Sequence, residues 1–180
     1  AVMIEGDGED TWIDTGSEEK DYLSLSTEEM KNRIQEAGIA GLGGAAFPTH
    51  VKLSPPKDKP VDTLILNGVE CEPFLTSDYR LMLERPDSIL KGLSILKKIL
   101  GLKKAVIGIE KNKPDAIKLL KEKTADDSTV SILQLEVKYP QGAEKQLIDA
   151  ITGRQVPSGG LPMDVGCLVQ NVGTAAAIYE

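Results

Sequence analysis

The 180-residue chain has few residues of the types that usually carry catalytic or metal chemistry. It contains two cysteines, one histidine and only 4% aromatic residues. Because Cys71 and Cys167 lie far apart in sequence, they do not form a metal-cluster motif. Two unclustered cysteines favour a reducing, cytoplasmic setting. With so few aromatic residues, the core must be built mainly from Leu, Ile, Val and Ala.

Charge and hydropathy argue against two further classes of protein. The formal net charge is −7, whereas nucleic-acid binding requires a surplus of Lys and Arg, so no nucleic-acid partner is expected. No apolar run reaches the roughly 18 residues of a membrane-spanning helix, so direct membrane insertion is not expected. The opening AVMIEGDGED lacks the basic and apolar regions of a signal peptide.

The chain divides into an acidic head and one domain. Residues 1–25 are acidic and turn-rich, and we expect them to be a linker or the end of a preceding domain. Residues 26–180 are expected to form a single domain, beginning with a helix that has a Ser26–Glu29 capping box and ends at Gly38. The chain has no initiator Met and stops within a helical pattern, so we expect a fragment of a longer polypeptide.

Apolar runs of strand length alternate with helical patterns through this domain. The runs are VDTLILN (61–67), KAVIGIE (104–110), TVSILQLEV (129–137) and a short strand at 167–169. Helices are predicted to begin at Pro86 and Pro114, with a third from about 142 to 152 and a last one from Thr174 onward. The alternation predicts an α/β layered fold with a mostly parallel sheet.

The segment GIAGLGGAAFPTHVKL, Gly38–Leu53, is unusually rich in glycine and alanine. Glycine there allows close backbone approach to a phosphate-bearing ligand, and a plain flexible loop is an equally good interpretation. The segment follows a helix and precedes a strand, so it is not a dinucleotide fingerprint, and it lacks the Gly-Lys-Ser/Thr of a P-loop.

Three further loops follow predicted strands, where ligands bind in open parallel sheets. They are NGVECEP (67–73), YPQGAE (139–144) and QNVGT (170–174). A helix beginning near Asn171 or Thr174 offers free amides to a phosphate, although either residue could be a simple cap. Together with the glycine segment, these loops predict a convergent pocket.

These motifs, with the long block TGRQVPSGGLPMDVGCLVQNVGTAAAI, resemble the C-subunit family of Rnf-type ion-translocating ferredoxin:NAD oxidoreductases. They are more distantly similar to the FMN-bearing, NADH-oxidising subunit of respiratory complex I. The likeness runs from about Met30 to the end of the chain. It implies a Rossmann-like three-layer domain that binds FMN non-covalently and accepts hydride from NADH. Electrons would leave to 4Fe-4S iron–sulfur clusters outside this segment, in a complex whose other subunits hold it on the cytoplasmic face of a bacterial membrane.

The resemblance also implies roles for particular residues. The FMN-contacting positions are Gly41, Gly43, Gly44, Lys52, Asn67, Glu70, Gly142, Gln170, Asn171 and Thr174. The NADH-contacting positions are Phe47, Glu72 and Glu144. Lys52 would supply positive charge near phosphate and Phe47 would stack on the nucleotide. No side chain is expected to act as a catalytic acid or base, and none is expected to bind a metal.

Two positions depart from the complex I pattern. Val69 and Ala143 stand where that subunit has acidic residues, which removes polar contacts to flavin or NADH. Two alternatives to an NADH-oxidising flavin domain therefore stay open. One is a non-catalytic docking module that has lost flavin, and the other is the flavin domain of a cobalamin reductase.

Overall fold

The computed structural model describes residues 3, 5–9, 11 and 21–180. Much of the predicted head 1–25 therefore lies outside the described residues, and its boundary with the domain stays a prediction. A 3-10 turn at Tyr22–Ser24 precedes the regular elements. These elements are α1 Thr27–Glu36, α2 Thr49–Lys52, β1 Thr63–Gly68, α3 Ser77–Glu84, α4 Pro86–Leu100, β2 Ala105–Glu110, α5 Pro114–Lys123, β3 Val130–Leu135, α6 Glu144–Thr152, β4 Cys167–Asn171 and α7 Val172–Tyr179.

In the described part of the chain, four strands form one sheet in the order β3-β2-β1-β4. All three pairings are parallel. The predicted α/β fold is therefore confirmed. None of the helices among the described residues is long and apolar enough to cross a membrane.

Helices cover the sheet on both faces, which gives three layers. On one face, Leu64 and Leu66 of β1 belong to a buried cluster that includes residues of α4, α5 and α7. On the other face, Ile65 packs with Leu147 and Ile148 of α6. Consecutive β1 residues are thus buried on opposite sides, as expected for a parallel strand between two helical layers.

Local sequence signals set several of the helix ends. In the capping box of α1, the Glu29 amide donates to Ser26 Oγ over 3.3 Å, and the Ser26 amide donates to Glu29 Oε2 over 2.8 Å. Helix α4 begins at Pro86 and ends before Gly101, which adopts the left-handed conformation with φ of 68°. The predicted capping box of α1 and the predicted start of α4 at Pro86 are confirmed.

Other elements differ from the prediction. Helices α2 and α3 were not predicted, and α6 begins at Glu144, two residues after the expected start. Helix α3 gives a weak sequence signal because it buries little apolar surface, with Met82 its fully buried residue. The last helix begins at Val172 rather than Thr174, directly after β4.

Helices α4 and α7 approach each other closely at Gly92. A Cβ atom added at Gly92 would lie 1.7 Å from the carbonyl oxygen of Ala175. A contact that short requires the backbones to separate, so only glycine fits. Gly92 therefore determines where α7 lies against the sheet.

We predict that Gly92→Ala destabilises the fold by about 3 kcal/mol or more, because the methyl group overpacks a backbone contact. Chemical denaturation followed by circular dichroism measures the free energy of unfolding. Ser88→Ala, on the same helix, should change that free energy by no more than about 0.5 kcal/mol. Equal stability of the Gly92 variant and the wild type would contradict this packing.

Candidate functional site

The strand order places a topological switch point between β1 and β4. Asn67 near the end of β1 pairs in register with Asn171 at the end of β4. The chain leaves β1 towards β2 and β3 on one side and then crosses back to β4 on the other. Open α/β sheets bind ligands in the crevice that results from such a reversal. The structure thus brings two predicted site residues together at that crevice.

The glycine segment lies over the start of α7, beside the switch point. Its base is closed where the Gly41 amide donates to the Phe47 carbonyl over 2.9 Å. Its tip is anchored where the Leu42 amide donates to the Thr174 hydroxyl over 2.9 Å. Gly43, at φ of 69°, is so close to Asn171 that an added Cβ would lie 3.0 Å from its side-chain nitrogen. The segment is therefore a tethered loop over the crevice, which we call the glycine loop.

Asn171 caps the helix on which the glycine loop rests. Its side-chain oxygen accepts hydrogen bonds from the amides of Gly173 and Thr174, over 2.7 and 3.3 Å. Its side-chain nitrogen donates to Asp78 Oδ2 over 2.6 Å. The simple Asn cap that the sequence left open is therefore present, and the phosphate role of this helix end stays a prediction.

Asp78 was missed by the sequence analysis, although it contacts Asn171 directly. Burial raises the pKa of Asp78, and the hydrogen bond from Asn171 opposes that rise. The nearby charges of Glu70 and Glu72 raise the pKa further. The sequence signal was weak, since Asp78 appears only as an acidic residue in the first turn of a short helix.

The loops after β1 and before α6 contact each other. The Asn67 side chain donates to the Gly142 carbonyl over 2.9 Å and accepts from the Val69 amide over 2.9 Å. A Cβ atom at Gly142 would lie 2.7 Å from the Val69 carbonyl oxygen. Gly142 is therefore required by close backbone approach, and the two predicted FMN loops form one wall.

Glu70 has a structural partner in α3. Its buried carboxylate accepts hydrogen bonds from the amides of Asp78 and Tyr79, over 2.9 and 3.3 Å, and from the Ser77 hydroxyl over 3.2 Å. A carboxylate at a helix N-terminus is stabilised by the free amides and the helix dipole. The predicted flavin contact of Glu70 stays a prediction beside this observed cap.

The remaining predicted residues comprise one ion pair and three exposed positions. Lys52 at the end of α2 forms a 2.7 Å ion pair with Glu144, the first residue of α6. Phe47 and Glu72 are exposed, as is Gly44. The ion pair joins the glycine-loop side of the crevice to the α6 side.

Gln170 is a buried polar side chain near the switch point, 3% exposed. Its side-chain nitrogen has no hydrogen-bond partner among the described residues. An unpaired buried amide is costly, so this nitrogen needs a partner such as a water molecule or a ligand. Gln170 therefore fits a ligand that carries oxygen or nitrogen acceptors.

We predict that Asp78→Asn changes how stability depends on pH. The raised pKa of Asp78 means that the folded protein retains a proton that the unfolded chain releases near the ordinary value of 3.8. The contribution of Asp78 to the free energy of unfolding therefore falls as pH rises from the pKa of the unfolded chain to the higher pKa of the folded protein. Above the higher pKa the contribution is constant. Denaturation from about pH 4 to about pH 7 should show the variant gaining stability relative to wild type as pH rises.

The exposed replacement Asp126→Asn is the control for this experiment. If wild type and Asp78→Asn keep a constant difference in free energy across that range, the assignment of a raised pKa to Asp78 is wrong.

The chain matches a known domain family in sequence and known crystal structures in fold. The family model described as the Nuo51 FMN-binding domain matches residues 34–180. The NAD+-reducing NiFe hydrogenase, in its air-oxidised crystal structure, has a TM-score of 0.73 at 25% identity, over 86% of this chain and 30% of that one. The H2-reduced state gives a TM-score of 0.74 at 24% identity, with the same coverage.

Relatives by sequence carry names from one type of complex. The C subunit of the proton-translocating ferredoxin:NAD(+) oxidoreductase complex of Clostridium ljungdahlii is 56% identical over 180 residues, which is 100% of this chain and 39% of that protein. The C subunit of the Na(+)-translocating ferredoxin:NAD(+) oxidoreductase complex of Acetobacterium woodii is 51% identical over 181 residues, 100% of this chain and 41% of that protein.

The chain thus spans less than half the length of these relatives. Their names confirm the resemblance that the sequence motifs indicated, and the structural match agrees with the three-layer fold. On the family match, which covers 34–180, the chain belongs to the Nuo51 FMN-binding domain family.

Proposed function

We propose that this chain binds FMN at the switch point between β1 and β4 and oxidises NADH there. The observation that carries the proposal is the tethered glycine loop, held over the crevice by the Leu42–Thr174 hydrogen bond of 2.9 Å. A loop of little side chain beside a switch point suits a phosphorylated, ring-bearing cofactor.

The residues present fit FMN. Gln170 supplies a buried amide nitrogen with no partner among the described residues, suited to a carbonyl or ring nitrogen of the flavin. Gly43 and Gly142 keep the backbone walls close, since a Cβ atom at either position would meet neighbouring atoms at 3.0 and 2.7 Å. Bound FMN would supply the chemistry of accepting hydride and releasing single electrons.

The chain's own residues would bind and orient FMN and NADH and shield them from solvent. Lys52, now paired with Glu144, would offer its ammonium group to phosphate. Exposed Glu72 would accept hydrogen bonds from the hydroxyl or carboxamide groups of NADH, and Phe47 would stack on a nucleotide ring. Hydride transfer needs no protein acid or base, which agrees with a site built from positioning groups.

The names of the relatives support a place in a larger assembly. We propose that the chain is part of the C subunit of an ion-translocating ferredoxin:NAD oxidoreductase. Electrons would pass to 4Fe-4S clusters in parts of the protein beyond this segment. Partner subunits would hold it on the cytoplasmic face of a bacterial membrane.

A scaffold that has lost flavin is the second candidate. It is favoured because site residues already have partners within the protein. Lys52 forms an ion pair with Glu144, and Asn171 donates a hydrogen bond to Asp78. A flavin titration separates the two functions, because only the first requires saturable binding.

We predict that Lys52→Ala weakens FMN binding by about tenfold or more, through loss of a charge-assisted phosphate contact. Quenching of flavin fluorescence during titration measures the dissociation constant. Lys57→Ala, a matched change at an exposed lysine outside the crevice, should bind FMN as wild type does. If a folded wild-type sample binds no FMN, the scaffold function is supported instead.

We predict that Glu72→Gln lowers the apparent affinity for NADH about tenfold while FMN affinity stays at the wild-type value. Bleaching of flavin absorbance under anaerobic conditions measures the reduction. Glu122→Gln, at an exposed carboxylate on α5, serves as control. Unchanged reduction in the Glu72 variant would remove this residue from the NADH site.

A further inference from the structure

The chain has two phenylalanines, and both are exposed rather than in the core. Phe47 is 52% exposed and Phe74 is fully exposed at 102%. Aromatic side chains dominate the cores and interfaces of most proteins because they bury large areas. In this chain, which has few aromatic residues, neither phenylalanine ring is buried in the core, and both are accessible to a ligand.

Phe74 is also held in an unusual backbone conformation. It lies in the turn between β1 and α3 with φ of 69°. Residues with a side chain pay a steric penalty in this region, which glycine avoids. Strained conformations of this kind cluster at ligand clamps. Burial of the ring does not offset the strain here, since the side chain is fully exposed.

Phe74 forms part of the wall of a pocket at the carboxyl ends of β1 and β2. The pocket has a volume of about 440 Å³, within the range of ligand cavities. Tyr139 lines it as well and is 74% exposed, and Leu75 and Val137 add half-exposed apolar surface. The exposed rings and aliphatic groups thus surround one cavity.

The same pocket contains polar groups that suit a nucleotide. Buried Lys113 pairs with Glu110 over 3.1 Å, and its ammonium group also donates to the Glu70 carbonyl over 3.4 Å. Glu72 lines the pocket too, and is a predicted NADH contact. Phe47 is not among the described residues that line this pocket. Glu70 and Glu72 line this pocket on the β2 side of β1, and they connect it to the site proposed on the β4 side.

We propose that Phe74 stacks on a planar ring of the nicotinamide dinucleotide. The inference rests on the proposed function, and it adds a ligand contact that the sequence analysis did not assign. The turn keeps a strained phenylalanine because the ring is needed by the ligand and not by the fold.

Substitutions of Phe74 should therefore have different effects on thermal stability and on NADH binding. Phe74→Gly removes the steric strain at φ of 69°, although glycine also makes the unfolded chain more flexible. Its thermal midpoint should therefore equal or exceed that of Phe74→Ala, while both variants lose the ring. Phe74→Leu keeps apolar bulk without an aromatic face.

The test is a titration of the FMN-loaded chain with NADH, together with thermal denaturation of each variant. Phe74→Ala and Phe74→Gly should bind NADH about tenfold more weakly than wild type, and Phe74→Leu should fall between. Leu161→Ala, at an exposed apolar residue elsewhere, should match wild type. Repeating the titration with ADP-ribose identifies the ring, since equal weakening indicates adenine and no weakening indicates nicotinamide.

Wild-type NADH affinity in Phe74→Ala and Phe74→Gly would overturn the inference while leaving the proposed function intact. A wild-type chain that binds FMN but not NADH would also overturn it, and would confine the proposed function to flavin binding. A folded chain that binds neither would contradict both proposals.

Discussion

The position of α7 is the constraint on which the rest of the site depends. Gly92 lets α4 approach so closely that an added Cβ would lie 1.7 Å from the Ala175 carbonyl oxygen. That packing fixes how α7 lies against α4, and the first turn of α7 directly follows the carboxyl end of β4. Thr174 in this first turn anchors the glycine loop. The capping residue Asn171 contacts Asp78 at the start of α3. One helix contact thus organises elements from distant parts of the chain.

The site residues have partners within the protein as well as predicted ligands. Glu70 caps α3, and Lys52 pairs with Glu144. A ligand that used these groups would exchange one set of hydrogen bonds for another, so its net gain would be smaller than the count of contacts suggests. Gln170 is different, since its buried side-chain nitrogen has no partner among the described residues. A ligand that bonded to this nitrogen would supply a missing partner without breaking a hydrogen bond within the protein.

Local signals in the sequence predicted much of the fold. Strands β1 and β2 are apolar runs, and helices α4 and α5 begin at prolines. Residues that are adjacent in the sequence therefore suffice to predict these four elements. Helix α3 was not predicted for two reasons. It buries little apolar surface, and its N-terminus is capped by Glu70, which belongs to the preceding loop and has no capping-box spacing. Asp78 and Phe74 were missed for related reasons. The contact of Asp78 depends on a partner across the crevice, and the proposed role of Phe74 depends on a backbone angle. Periodicity in the sequence reveals neither feature.

FMN is proposed to bind between the glycine loop and the ends of β1 and β4. A crystal structure of this chain grown with FMN would locate the cofactor. We expect flavin density in this crevice, with the side-chain nitrogen of Gln170 hydrogen-bonded to the cofactor. Flavin bound elsewhere, or a crevice without flavin at saturating FMN, would contradict it.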